Sequence, residues 1–423
     1  MKVHSTYYLY KGLIMNAKYF YIFGKLLEWY GIWYKEHSNW KKLIKLIKYF
    51  DHAATTALDE DVFRAMRPYF TEKFGNPSSV YKIGKENKDA INLAREKVAK
   101  AINANTNEIY FTSCGSESDN LALKGIVKAN SRRGNHIITT NIEHPAILNT
   151  CKTLENMGYR VTYLKVKKNG RIDLNELERA ITQRTILISI MFANNEIGTI
   201  QPIKEIGDIA KRYGIFFHTD AVQAIGNEKI DVKEMEISAL SMSAHKFYGP
   251  KGVGVLYVKE GVPFSRIQDG GHQEREKRAG TENVPGIVGL GRAIELANSN
   301  IERYNAKLLN LREFYFSEIE KRIPNIIING DRKFRLAGNA NICFRGVDGS
   351  KLLYELDKRE ICASSGSACS AGLLNPSHVL LAIGVPSQIA RGSLRISFGK
   401  ENNLEDTRFL VDSIEEIVKD LRK

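Results

Sequence analysis

From Asp51 onward the chain alternates short apolar runs with amphipathic stretches. The apolar runs are Glu108–Thr112, His136–Thr140, Arg160–Leu164, Thr185–Met191, Ile215–Thr219, Ile237–Met242 and Gly254–Val258. Helical patterns lie among them at Ser118–Ala129, Ile147–Met157, Leu174–Ile181 and Ile203–Tyr213, and another follows at Val284–Asn298. Strands alternating with helices over short loops predict an α/β fold: a mostly parallel seven-stranded sheet with helices on both faces. In such sheets ligands bind beyond the carboxyl ends of the strands. A charged helical stretch at Ile301–Arg322 leads into a second region. There Arg335–Phe344, Ile361–Ser364 and Ser393–Phe398 read as strands, and Lys351–Arg359, Ser377–Ala382 and Leu404–Leu421 as helices. This predicts a smaller α+β C-terminal domain.

The first fifty residues break the pattern. All three tryptophans (Trp29, Trp33, Trp40) and nine tyrosines and phenylalanines crowd into the first forty residues. The longest uncharged run there is eight residues, against about twenty for a membrane span. No signal peptide is recognisable. Trp40, Leu43, Ile44 and Ile47 share one helical face, with Lys41, Lys42, Lys45 and Lys48 off it. Two readings stand for this segment: a basic amphipathic helix seated on an anionic membrane or a partner, and a loosely docked or disordered extension. The expected organisation is an extension over 1–48, a large domain over 49–300 whose first residues may pack with the small domain, and a small domain over 301–423.

Composition narrows the class. The chain has 423 residues and a net charge of +14, and half of that excess falls within residues 1–50. The remainder is too weakly basic, and too free of basic–aromatic stripes, for a nucleic-acid binder. The five cysteines (Cys114, Cys151, Cys343, Cys362, Cys369) are odd in number and form no CxxC. A reducing, cytoplasmic location is expected, with no disulfide framework. Cys151, Cys343 and Cys362 sit in apolar runs and are expected in the core.

Candidate chemistry gathers where strands end. The run Ile237–Met242 leads into His245-Lys246 and a Pro/Gly-rich turn. A lysine there, partly desolvated and beside a cationic neighbour, has the lowered basicity a Schiff base needs; an ordinary solvated loop lysine is the competing reading. Gly115 and Ser116 open a helix directly after a strand and offer N–H groups and a hydroxyl to a phosphate. His144 follows His136–Thr140, Asn195 follows Thr185–Met191, and Asp220 with Gln223 follows Ile215–Thr219. A carboxylate at a buried strand end is costly unless a cation pairs it, as a cofactor ring nitrogen would. The segment Gly270–Asn283 is a polar, glycine-rich loop. Cys369 lies among small residues in Ala363–Gly372, which leave a thiol unshielded. A Schiff-base lysine, an acid, a histidine and phosphate donors together match the requirements of pyridoxal 5'-phosphate.

In this order, these residues resemble the cysteine desulfurases of the class V aminotransferase group, which are fold-type I pyridoxal-phosphate enzymes. The resemblance runs from about Tyr49 to the C-terminus. It rests on DHAATT (51–56), FGNPSS (74–79), Phe111–Asn120, Glu143–Pro145, NNEIG (194–198), His218–Gln223, Ser243–Gly254, RAGTEN (278–283), Ser364–Gly372 and Gly392–Gly399. It implies Lys246 as the cofactor lysine, Asp220 on the ring nitrogen, Gln223 on the phenolic oxygen and His144 over the ring. Gly115, Ser116, Ser243 and His245 would hold the phosphate, and Thr281 would reach the phosphate of the other subunit of a homodimer. Asn195 and Arg395 would hold the L-cysteine substrate. Cys369 would receive its sulfur as a persulfide and pass it to an iron–sulfur scaffold or a tRNA-thiolation acceptor. No resident metal and no direct nucleic-acid contact are implied, apart from contact of Cys369 with a cluster during transfer. His52, Ala57, Cys114-Gly115 and His272 depart from the family pattern, and the first fifty residues have no counterpart in it. A selenocysteine lyase, another enzyme of this fold and a non-catalytic member are the alternatives; Cys369 together with Lys246, Asp220, His144 and Arg395 favours the desulfurase.

Overall fold

The computed structural model describes residues 47–366 and 376–423. The Trp40-centred amphipathic pattern and Cys369 therefore lie outside the described residues. The chain divides into two units, Met1–Lys48 and Tyr49–Lys423, and the fold below is that of the second.

Seven strands build the main sheet: β1 (Ile109–Thr112), β2 (His136–Thr140), β3 (Arg160–Leu164), β4 (Thr185–Ser189), β5 (Phe216–Asp220), β6 (Ala239–Ser243) and β7 (Gly254–Val258). Their spatial order is β1-β7-β6-β5-β4-β2-β3. Only β7 runs antiparallel to its neighbours, β1 and β6; the other pairings are parallel. The central strands are buried along their whole length because helices cover both faces. Each predicted strand of this sheet is present within about two residues of its expected ends.

The helices used below are α1 (Lys82–Ala101), α2 (Gly115–Ala129), α3 (Pro145–Asn156), α4 (Ile203–Arg212) and α5 (Val284–Arg322). Helix α1 went unread in the sequence because its surface is dense with charge. It still buries Ile91, Ala94 and Val98 at helical spacing. The patterns read as separate helices at Val284–Asn298 and Ile301–Arg322 are one 39-residue helix. The polar Asn298-Ser299-Asn300 stretch suggested a break. Yet it contains neither glycine nor proline, and Ser299 and Asn300 both donate back to the Leu296 carbonyl, as residues inside a helix can.

Helix α5 serves two cores. Its first half (Ile287, Leu290, Ile294) packs into the core of the large sheet. Its second half (Leu308, Leu311, Tyr315, Ile319) packs into a separate core. That second core also takes the three-stranded antiparallel sheet of β8 (Ile326–Ile328), β9 (Asn339–Phe344) and β10 (Ser393–Ser397), and α6 (Gly349–Asp357) with α7 (Leu404–Leu421). Phe50, fully buried, joins this smaller core. Cys151 and Cys343 are fully buried. Cys362 is not: it lies in a two-residue strand at a sheet edge and is half-exposed.

Candidate active site

Strands β6, β5, β4 and β2 are consecutive neighbours in the sheet. Their carboxyl ends therefore lie side by side, about 4.8 Å apart. Residues that are far apart in sequence meet there: Lys246 past β6, Asp220 at the end of β5, Asn195 past β4 and His144 past β2. Gly115 and Ser116 enter from the start of α2. These residues, with Cys114, Asp119, Gln223, Ser243, His245 and Arg395, line a cavity of about 190 Å³. Eleven predicted site residues lie among the described residues, and ten of them line this cavity. Thr281 does not; it is exposed on the 270–283 loop.

The segment 51–56 lies over the cavity and fixes its lysine. Lys246 Nζ donates to the carbonyls of Ala53 (2.6 Å) and Ala54 (2.7 Å). Gln223 Nε2 donates to the same Ala53 carbonyl (3.0 Å). His245 Nδ1 meets Thr55 Oγ1 at 3.0 Å, and its carbonyl accepts from both the N–H and the hydroxyl of Thr56. Burial, with Lys246 and Lys251 adding, lowers the His245 pKa to about 4, so the ring is neutral.

Asp220 is buried, and one carboxylate oxygen accepts from the Val222 N–H (2.9 Å). Burial raises its pKa, and the charges of His144 and Lys246 only partly oppose that. Such a carboxylate lacks a sufficient cation. His144 caps α3: its Nδ1 accepts from the Ala146 N–H (3.1 Å), which leaves the ring proton on Nε2. Burial lowers its pKa as well. The first turn of α2 has no side-chain cap, so its N–H groups remain available to an anion.

β7 packs behind the turn that leads into α2. Gly254 pairs with Ser243 on one side and Thr112 on the other. A Cβ at Gly254 would stand 2.7 Å from the Cys114 carbonyl carbon and 2.8 Å from the Met242 carbonyl oxygen. Only glycine lets the three strands approach this closely.

Arg395, on β10 and fully buried, reaches the cavity from the small core. Its Nη2 pairs with Asp51 Oδ1 (2.6 Å) and its Nη1 donates to the Asn195 carbonyl (3.1 Å). Its buried Nε has no hydrogen-bond partner. The other Asp51 oxygen accepts from Ser364 Oγ (2.7 Å).

Three features of the site were not legible in the sequence. Asp119 lines the cavity with a buried Oδ1 that accepts no hydrogen bond and stands 3.7 Å from His218 Nε2, and its pKa is raised well above the carboxylate range, first by burial and then by Asp220. Its position one turn after Gly115 on α2 was the available signal. Glu143, fully buried, accepts from Thr140 and from the Met191 N–H, and burial pushes its pKa to about 8. Glu196, also buried, takes a hydroxyl from Ser377. Of the family departures, only Cys114 and Gly115 line the cavity. His52 is half-buried outside it, edge-on to Tyr49 at 5.0 Å, with desolvation lowering its pKa to about 4. His272 is exposed and pairs with Glu276 at 2.7 Å.

A parallel sheet with a lysine, an aspartate and a histidine converging beyond its carboxyl ends, beside an open helix N-terminus, defines the class of pyridoxal-phosphate enzymes. The chain belongs to the aminotransferase class-V family, whose model matches residues 48–410. It is 55% identical over 377 residues to cysteine desulfurase IscS of Clostridium botulinum (strain Hall), covering 89% of this chain and 95% of that one. It is 56% identical over 374 residues to cysteine desulfurase IscS of Methanosarcina thermophila, covering 88% and 92%. A solved NifS-like protein superposes with a TM-score of 0.83 at 39% identity, covering 88% of this chain and 99% of its own.

The cavity fits the family cofactor, pyridoxal 5'-phosphate. Asp220 is a buried carboxylate in need of a cation, and the α2 N-terminus is an uncapped anion cradle beside Ser243 and His245.

Proposed function

We propose that this protein is a cysteine desulfurase that converts L-cysteine to L-alanine and carries the sulfur as a persulfide on Cys369. The observation that carries this reading is the convergence of ten predicted site residues on one cavity. Of the described flanks of the Cys369 segment, Ser364 bonds Asp51 and the Arg395 backbone, and Ser377 bonds Glu196, the residue after Asn195.

The cofactor, held by Lys246, supplies an electron sink for the α-carbon of the bound amino acid. The protein supplies the rest. Asp220 holds the proton on the ring nitrogen. Gln223 orients the phenolic oxygen. Gly115, Ser116, Ser243 and His245 receive the phosphate through N–H and O–H donors, with His245 neutral. Lys246 moves the α-proton. His144, neutral and with its proton set on Nε2 by the Ala146 N–H, relays protons at the cavity wall. Arg395 meets the substrate carboxylate with its unpartnered Nε while Asp51 fixes its other edge, and Asn195 lies beside it. The Cys369 thiolate attacks the substrate sulfur. The carbon–sulfur bond breaks, its electron pair stays with carbon and takes a proton, and a sulfur–sulfur bond forms on Cys369. Cysteine plus the enzyme thiol thus become alanine plus the enzyme persulfide, with atoms and electrons balanced.

The same reading includes a homodimer in which Thr281 serves the neighbouring subunit's phosphate. Thr281 lies outside its own cavity, and Phe70, Phe74, Val80 and Tyr81 leave apolar surface exposed. It also includes a cytoplasmic setting and delivery to an iron–sulfur scaffold or another acceptor protein. No helix among the described residues is long and apolar enough to cross a membrane. We further propose that the large and small domains divide near residue 300, within α5, where the two cores part.

The test is a pair of variants. Cys369→Ser should keep the visible cofactor chromophore and its response to L-cysteine, yet yield no persulfide and no sulfide. Lys246→Ala should lose the chromophore of the cofactor-bound lysine. Normal alanine and sulfide production by either variant refutes the assignment.

A further inference from the structure

Glu196 stands where the two ends of the 367–375 segment meet. The Ser377 hydroxyl, just after the segment, donates to Glu196 Oε2. Just before it, Gly366 (φ +158°) passes so close that a Cβ there would lie 3.2 Å from that same oxygen and 3.7 Å from Ser377 Cβ. One carboxylate oxygen therefore accepts from the downstream flank and leaves no ordinary room for a side chain at Gly366 on the upstream one. Glu196 is itself firmly held. It is 2% exposed, and its N–H donates to Asn194 Oδ1 (2.9 Å). Its carbonyl accepts from Asn341 Nδ2 (3.1 Å) and Asn339 Nδ2 (3.4 Å) of β9. Asn341 faces Arg395 in the β9–β10 register, and Arg395 donates to the carbonyl of Asn195, the residue before Glu196. Ser377 Oγ also accepts from the N–H groups of Val379 and Leu380, and His378 Nε2 bonds the Glu143 carbonyl (3.0 Å). The downstream flank is thereby fixed to the wall that carries His144.

A carboxylate this deep is costly unless it is used. The mechanism above gives it no task. Its neighbour Asn195 lines the cavity, and its own oxygen accepts from Ser377, just after the Cys369 segment. We propose that Glu196 is a positioning residue: through Ser377 it ties the downstream flank of the Cys369 segment to the Asn195–Arg395 edge of the cavity, and so sets how often the Cys369 thiolate meets the substrate sulfur. This rests on the desulfurase reading. It separates two functions within the NNEIG motif, with Asn195 facing the substrate and Glu196 facing the nucleophile's supports.

The experiment uses full-length, cofactor-loaded enzyme as wild type, Ser377→Ala, Glu196→Gln and Glu196→Ala. Each is mixed with L-cysteine in single turnover. The change in the cofactor spectrum reports substrate binding and α-carbon chemistry, and mass spectrometry after alkylation reports persulfide on Cys369. Ser377→Ala and Glu196→Ala should keep the spectral response and a near-wild-type KM, while persulfide formation slows about tenfold, the value of one hydrogen bond to a charged group. Glu196→Gln keeps an oxygen that accepts from Ser377 and should recover most of the rate. Ser377→Ala leaves the buried carboxylate in place, so it reads the clamp even if Glu196→Ala fails to fold. A wild-type persulfide rate in Ser377→Ala overturns the proposal. So does a spectral response lost in parallel with the persulfide, since the damage would then lie in the cofactor or substrate site. No persulfide in the wild type overturns the desulfurase reading itself, and this proposal with it.

Discussion

Asp220→Asn should move the cofactor-free and cofactor-bound proteins in opposite directions. The substitution keeps an oxygen to accept the Val222 N–H at 2.9 Å and removes the charge. Without cofactor that charge is a liability, because burial holds the folded pKa above the ordinary carboxylate value. The linkage sign follows: a carboxyl that binds its proton more tightly when folded favours the folded state below about pH 4, its unfolded pKa. That advantage is lost as pH rises from there through the raised folded value. An amide has no such loss. Each unit of upward shift is worth about 1.4 kcal/mol. For a unit the size of Tyr49–Lys423, one kcal/mol moves Tm by about 1 °C. Cofactor-free Asp220→Asn should therefore melt above wild type at pH 7, with the gap closing near pH 4. With cofactor the charge becomes an asset. Losing one charge-assisted hydrogen bond, about 1.5–3 kcal/mol, should weaken cofactor binding about 10- to 150-fold. Differential scanning fluorimetry of the cofactor-free proteins across pH 4–8, with absorbance titration of the cofactor, measures both arms. An unchanged or lowered Tm at pH 7 refutes the account of Asp220 as a buried charge awaiting a cation. Unchanged cofactor affinity refutes its role on the ring.

Two further predictions concern what supports the cavity. Glu274 forms a buried bidentate pair with Arg95 (2.8 Å each) and accepts from the Phe111 N–H. It does so from a run of three left-handed residues, Glu274, Arg275 and Glu276, with φ of 43°, 55° and 64°. Glu274→Gln strands a buried guanidinium and should cost about 3–5 kcal/mol, seen as a lower Tm and as new proteolytic cleavage within 270–283; an unchanged Tm would show the pair to be inert. Gly254→Ala forces a Cβ against the Cys114 and Met242 backbones and should cost about 1–3 kcal/mol. Because it shifts the turn that leads into α2, it should also weaken cofactor binding. Stability loss with normal cofactor affinity would separate the strand from the site.

Much of this protein was legible along the chain. The seven strands showed as apolar runs because a sheet covered on both faces leaves no polar alternation, and α/β alternation dictated parallel order. Lys246, Asp220, His144, Asn195 and Gly115 were visible because each follows such a run, and the ends of parallel strands are where ligands bind. Local pattern misled at α5, where a polar stretch passed for a break, and at Cys362, whose apolar neighbours belong to a sheet edge.

What only the tertiary structure decided were relations between segments. Strand order made β6, β5, β4 and β2 neighbours and so merged four separate loops into one cavity. The antiparallel β7 slid between β1 and β6 and explained Gly254. Asp119 and Glu143 proved to lie at the cavity or beneath it, a burial no local pattern encodes. Asp51 met Arg395 across the length of the fold, and Glu196 met Ser377, just after the Cys369 segment. Periodicity reports which face of an element is buried. Which partner lies on that face depends on packing the whole chain.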